Sequence, residues 1–299
     1  MAEGEVAPEV ERSLVERILN FPLVTMLVAL TVLMGIAGIT RGILKVLLRD
    51  LAPDNLSLVT GLVVCVVMIL TYKLIIRRLG EQPRDDLSGP RAARQLVGGF
   101  GIGLALFSVI VAVAAALKVY RIVGIGDADF LLIAVITNGL FPAVSEELLY
   151  RGIIFRWFEE FAGTWAALLI SSVLFGAAHF QNPNASVLAA VGVALEGGLL
   201  LGGAYMLTRR LWLPMGIHAS WNLTQGGVFD IPISGNDAHG LVEAQLEGPA
   251  VLSGGGFGLE ASLIAIVIST LFALHLIRRA VRAGQVVQPW WVRGGYRKL

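Results

Sequence analysis

Residues 130–151 read FLLIAVITNGLFPAVSEELLYR: a charge-free run over 130–145, then two adjacent carboxylates, Glu146 and Glu147, and Arg151 four residues beyond the second. A hydrocarbon core about 30 Å thick takes roughly 20 apolar residues per helix. The run therefore predicts a membrane span whose end carries charges that lipid alone would not tolerate. On either side of it lie further charge-free or nearly charge-free runs, at Ile18–Thr40, Asn55–Tyr72, Gln95–Leu117, Ala162–Phe180, Ala185–Thr208, Leu211–Phe229 and Ala261–Ile277. With Phe130–Ser145 they make eight candidate spans. The fourth and seventh are short or partly polar.

Composition agrees. Of 299 residues, 56% are hydrophobic and 15% charged, with a mean hydropathy of +0.76, where a soluble domain carries about 25% charged residues. The runs are continuous, without the period-two alternation of a barrel strand, and helices satisfy their own backbone groups in lipid. The expected fold is an all-α integral membrane protein, a bundle of about eight transmembrane helices. A single cysteine excludes a disulfide framework or a thiolate metal cluster. A net charge of +1 gives no sign of a nucleic-acid partner. Abundant Ala, Val, Gly and Arg with few Lys point to a GC-rich prokaryote.

With both termini in the cytoplasm, eighteen of the 23 Lys and Arg fall inside, as the positive-inside tendency favours. The loop Leu223–Leu259 has four acidic residues, no basic one and many glycines, and reads as a flexible outer loop. No cleavable signal peptide is evident, because the first apolar run is too long and its flank too acidic. The expected location is the cell membrane, multi-pass, with lipid as a partner. Glycine pairs at spacing four, Gly38/Gly42, Gly99/Gly103 and Gly198/Gly202, predict close helix contacts.

A charge at mid-membrane costs at least about 2.5–3.5 kcal/mol on insertion scales, so embedded ionisable groups are candidates for function. On a helix, Glu147 and Arg151 share a face at spacing four, whereas Glu146 is rotated by about 100°. One carboxylate is then neutralised locally and the other, Glu146, is left to act as a general base. Phe175 and His179 share a face at the same spacing, as do His218 and Asn222. The latter pair suits oxyanion donors, or one ligand with its neighbour. Taken singly, each has a structural reading: interfacial charges at a helix end, or a histidine packed and hydrogen-bonded in the bundle. Together, a free carboxylate, two histidines and an amide on three helices supply what acyl hydrolysis needs. Glu196 reads either as a second carboxylate near the site or as a polar contact between helices, and His275 lies within a turn of Arg278.

The ordered motifs EExxxR (Glu146, Glu147, Arg151), FxxxH (Phe175, His179) and HxxxN (His218, Asn222) resemble those of the CPBP intramembrane proteases. These comprise the type II CAAX prenyl endopeptidases and bacterial relatives linked to bacteriocin processing and self-immunity. The resemblance spans Glu146–Asn222. It implies a polar cavity within the membrane, Glu146 and His179 activating a water, and His218 and Asn222 stabilising the oxyanion. Glu147, Arg151 and Phe175 would support the site. It implies a membrane-associated peptide or lipid-modified protein as substrate, prenylated CAAX-type or bacteriocin-like. No cofactor is favoured. If zinc were used, Glu146, His179 and His218 would be its ligands, but Asn222 makes better sense as an oxyanion donor. The chain divides into 1–20, a cytoplasmic N-terminal segment; 21–129, N-terminal transmembrane helices; 130–229, the catalytic-type helices; and 230–299, an outer loop, last span and basic cytoplasmic tail.

Other protease signatures fit poorly. There is no HExxH, the GxGD at Gly124–Asp127 falls in a predicted outer loop without a second intramembrane aspartate, and Ser171 and Ser172 lack a preceding glycine. Two rival functions are a proton-coupled secondary transporter, disfavoured because the polar residues concentrate in one half, and a non-catalytic immunity or scaffold protein on the same fold.

Overall fold

The computed structural model describes residues 13–80 and 84–293. Residues 1–12 of the expected N-terminal segment 1–20, and residues 294–299 at the end of the basic tail, lie outside the described residues. After a short helix, Leu14–Leu19, come α1 (Pro22–Leu47), α2 (Pro53–Arg78) and α3 (Ala92–Ala116). Strand β1 (Tyr120–Ile125) follows, then α4 (Leu131–Gln181), α5 (Val187–Thr208), α6 (Trp212–Asn222), β2 (Val242–Leu246) and α7 (Leu263–Arg282). Among the described residues six helices, all but α6 of those labelled, are long and apolar enough to cross a membrane. The fold is an all-α membrane protein with one antiparallel strand pair, β1 on β2.

The six long helices account for the eight expected runs once two local features are taken into account. The fourth and fifth runs are two helical stretches, both within α4, separated by a break at Gly163, where φ is 82°. A Cβ there would press on the carbonyl of Val287 and the nitrogen of Pro289, so the break needs glycine. The seventh run folds as the short α6, extended by a wide π-wound turn over Leu223–Val228.

Helix starts follow local chemistry. Pro22 and Pro53 stand in the first turns of α1 and α2, where a missing N–H costs nothing. Ser186 and Ser262 cap α5 and α7 by accepting from the amides of Ala189 and Ala265, at 3.1 and 3.2 Å.

The most extensive helix contact is α3 against α6. A Cβ on Gly99 or Gly103 would overlap the carbonyl oxygen of Leu213 or Ile217, and one on Gly216 that of Leu96. Small residues thus let two backbones touch, and α3, which carries none of the motifs, fixes the helix that bears His218 and Asn222. Gly198 and Gly202 likewise meet Ser172 and Leu168 on α4. The expectation for Gly38/Gly42 is corrected: nothing lies within 4 Å of where their Cβ atoms would be.

Charges gather at one end of the bundle. Asp86, fully buried, takes Arg84 at 2.6 Å and the Tyr205 hydroxyl at 2.7 Å, with Arg156 at 3.6 Å. Nearby Glu159 pairs with Arg209. The opposite end carries the strand pair and the segment predicted to be a flexible outer loop. That prediction is corrected, because Ile231, Phe257 and Leu259 of this segment are buried in the bundle. Its glycines serve turns: Gly258, at φ 109°, lies where a Cβ would overlap the Pro232 carbonyl oxygen.

Packing of α3 on α6 predicts a graded response to volume. Gly103→Val should destabilise the protein by about 1–3 kcal/mol through overpacking, lowering its thermal unfolding midpoint in detergent. Gly42→Val should leave the midpoint unchanged.

Candidate active site

Glu147 lies inside the bundle with none of its side chain exposed. A carboxylate there needs partners, and it has two. Its Oε1 accepts from Arg151 Nη1 at 2.8 Å, one turn along α4, and from His218 Nδ1 at 2.9 Å across on α6. Arg151 also reaches α5, where it donates to the carbonyls of Gly197 and, at 3.2 Å, Gly198. Its guanidinium lies 4.8 Å from the centroid of the Phe175 ring, a cation–π arrangement. One carboxylate and one guanidinium therefore tie α4, α5 and α6 together. The helix is π-wound at Leu148–Phe155 and Ala194–Leu200, the two stretches these groups bridge, as π-bulges often are at functional sites.

Glu146 faces elsewhere. Its side chain is 30% exposed, and its Oε2 is buried without a direct hydrogen bond, 3.9 Å from His218 Nε2. That separation is too long for a hydrogen bond and of a size that a bridging water spans. Because Nδ1 of His218 is engaged by Glu147, its Nε2 is the nitrogen turned toward Glu146. His179, near the end of α4, repeats this logic. Its Nδ1 lies 2.8 Å from the Phe175 carbonyl oxygen, to which it donates, leaving Nε2 free to act. The Phe175 ring stands beside both imidazoles, 5.0 Å from His179 and 6.2 Å from His218. Asn222 donates from Nδ2 to the Asn138 carbonyl at 3.0 Å and keeps a second N–H.

Glu146, His179, His218 and Asn222 line one cavity of about 320 Å³. The same wall includes two carboxylates outside that set, one of which, Glu196, the sequence had offered near the site. Glu196, on α5, is 4% exposed and lines the cavity, although its sequence position allowed a plain interhelical contact. Glu260, 5% exposed, also lines it, but in sequence it is a carboxylate just ahead of an apolar run, where an interfacial charge is ordinary. Burial pushes the Glu260 carboxyl up, while His179 and hydrogen bonds from Ser234 and Gln225 pull it back. Asn138 had no signal, since it acts through its backbone carbonyl. His275 is exposed on α7 beside Phe272, outside the cavity, and Asp127 is exposed past β1.

Among the described residues, no three His, Cys, Asp or Glu side chains converge as metal ligands. Glu146, His179 and His218 share a cavity and do not form such a set.

Residues 128–224 match the family model described as Type II CAAX prenyl endopeptidase Rce1-like. About a third of the chain is therefore similar to that family. A relative in Bacillus subtilis (strain 168), named "Putative membrane peptidase YdiL", is 25% identical over 177 residues, covering 56% of this chain and 68% of that protein. No solved structure matches. The family region coincides with the stretch that supplies Glu146, His179, His218 and Asn222, and both comparisons point to a membrane peptidase, a hydrolase acting on peptide or protein. Glu260 and the segment that folds over the cavity lie beyond the matched region.

The two neighbouring glutamates should respond differently to truncation. Glu147→Ala strands Arg151 and His218 and should cost about 3–5 kcal/mol, read as a large fall in unfolding midpoint. Glu146→Ala should change the midpoint little; equal losses would contradict the division between them.

Proposed function

We propose that the chain is an intramembrane endopeptidase in which Glu146 and His179 activate a water and His218 and Asn222 stabilise the oxyanion. The observation that carries this reading is the Glu146 carboxylate, whose Oε2 is buried in a polar cavity without a hydrogen bond, while its neighbour Glu147 is held through Oε1 by both Arg151 and His218. Water placed against Glu146 gives up a proton to the carboxylate, and its oxygen attacks the peptide carbonyl carbon. The carbonyl electron pair moves onto oxygen, facing the second N–H of Asn222 and the Nε2–H of a protonated His218, whose Nδ1–H is held by Glu147. Collapse of the tetrahedral species breaks the C–N bond, and the proton returns to the leaving amine through Glu146 or His179. Nothing in this sequence requires a metal ion.

The substrate in this reading is a membrane-associated peptide. Both termini are taken as cytoplasmic, from the charge asymmetry. The exposed residues Asn236 and Asp237, which line the cavity, then lie at its outer face. That orientation favours an exported, bacteriocin-like peptide over a cytoplasmic prenylated CAAX protein.

Reconstituted in liposomes with a membrane-anchored fluorogenic peptide, the protein should cleave it. Glu146→Gln and His179→Ala should each lower turnover by at least about 100-fold while remaining folded, and full turnover by Glu146→Gln would remove the assignment. Cleavage should persist after exhaustive chelation; loss restored by zinc would replace the water-activating carboxylate with a metal. Proton-driven uptake without cleavage would favour the transporter.

A further inference from the structure

The mechanism uses Glu146 and leaves two other buried carboxylates of the same cavity unexplained. Glu196, on α5, is 96% buried by its 4% exposure, and no hydrogen bond reaches its Oε1. Glu260 is 95% buried by its 5% exposure, and accepts from the Ser234 amide and from Gln225. Both line the cavity beside His179, and the Glu196 carboxyl lies within reach of the Glu260 charge.

The local charge is unbalanced. Glu146, Glu196, Glu260 and Asp237 all line the cavity, and its basic lining groups are the two histidines. Arg151 is committed to Glu147 and to the carbonyls of α5, behind Phe175. Two carboxylates drawn out of water against each other call for a cation or a shared proton. A metal ion would need a third converging ligand, and among the described residues no such set exists. An organic cation needs only acceptors, and Glu196 Oε1 is an acceptor without a donor.

We propose that Glu196 and Glu260 form a subsite that binds a cationic side chain, an arginine or lysine of the substrate, beside the Glu146 centre. The proposal rests on the peptidase reading for the identity of the ligand, but it can be tested by binding alone. Neither carboxylate touches the reacting atoms; their part is selection. An arginine guanidinium would take the free Glu196 oxygen and share the Glu260 carboxylate, whereas an uncharged isostere would leave both carboxylates buried against each other.

The probe is a pair of membrane-anchored peptides differing only in arginine against citrulline, which keeps the shape and removes the charge. Binding is titrated in nanodiscs with wild type, Glu196→Gln and Glu260→Gln, each checked for folding by its unfolding midpoint. Wild type should bind the arginine peptide tighter by on the order of tenfold or more, and either substitution should erase most of that difference. Equal affinity of wild type for both peptides would overturn the subsite and leave a proton shared between the two carboxylates. An arginine preference that survives both substitutions would overturn it too. Cleavage of the same peptides, scored separately, tests the peptidase reading: preference without cleavage keeps the subsite and removes the protease, and cleavage without preference does the reverse.

Discussion

A carboxylate in the interior of a membrane bundle cannot stand alone, and the arrangement of this protein turns on how Glu147 is satisfied. Arg151 and His218 share its Oε1, and Arg151 extends to the carbonyls of Gly197 and Gly198. Through that knot α4, α5 and α6 hold one another in register. The same bond fixes the imidazole of His218 with Nδ1 inward and Nε2 toward the cavity. Structure and candidate chemistry are thus set by one interaction. Glu146, a single residue away, is rotated out of the knot and left available.

Close packing makes this possible. The α3 glycines bring its backbone against α6, so the helix bearing His218 and Asn222 has little room to slide. Beyond the spans, the ordered segment after α6 closes the cavity with Ser234, Asn236 and Glu260. At the other end, Asp86 gathers Arg84, Arg156 and Tyr205, which fastens the connection after α2 onto α4 and α5. The polar interior is enclosed by elements that the motifs themselves do not contain.

What could be read from sequence was what is local. Hydrophobic runs located the spans because hydropathy acts over one helix, and the spacing of Glu147 and Arg151 announced their pair because both sit on one helical face. The bond between Glu147 and His218 joins residues 71 apart in sequence, and no periodicity announces it. Glu260, a carboxylate just ahead of an apolar run, carries no local signal that the fold turns it inward. Spacing alone could not separate Gly99/Gly103, which face a helix, from Gly38/Gly42, which face nothing. Glycine-rich composition after α6 read as flexibility, whereas residues such as Gly258 occupy tight turns that no other residue fits. The break between the two helical runs of α4 likewise depended on Gly163 making contact with residues 287–289 near the far end of the chain.

The most direct test of the central claim is an experimental structure with a peptide phosphonate, a stable mimic of the tetrahedral species. The account predicts the phosphonate in the cavity, one oxygen in hydrogen-bond contact with Glu146 and another facing Asn222 and His218 Nε2, with Glu147 still bound to Arg151. A phosphonate bound elsewhere, or held by a metal ion coordinated by Glu146, His179 and His218, would contradict it.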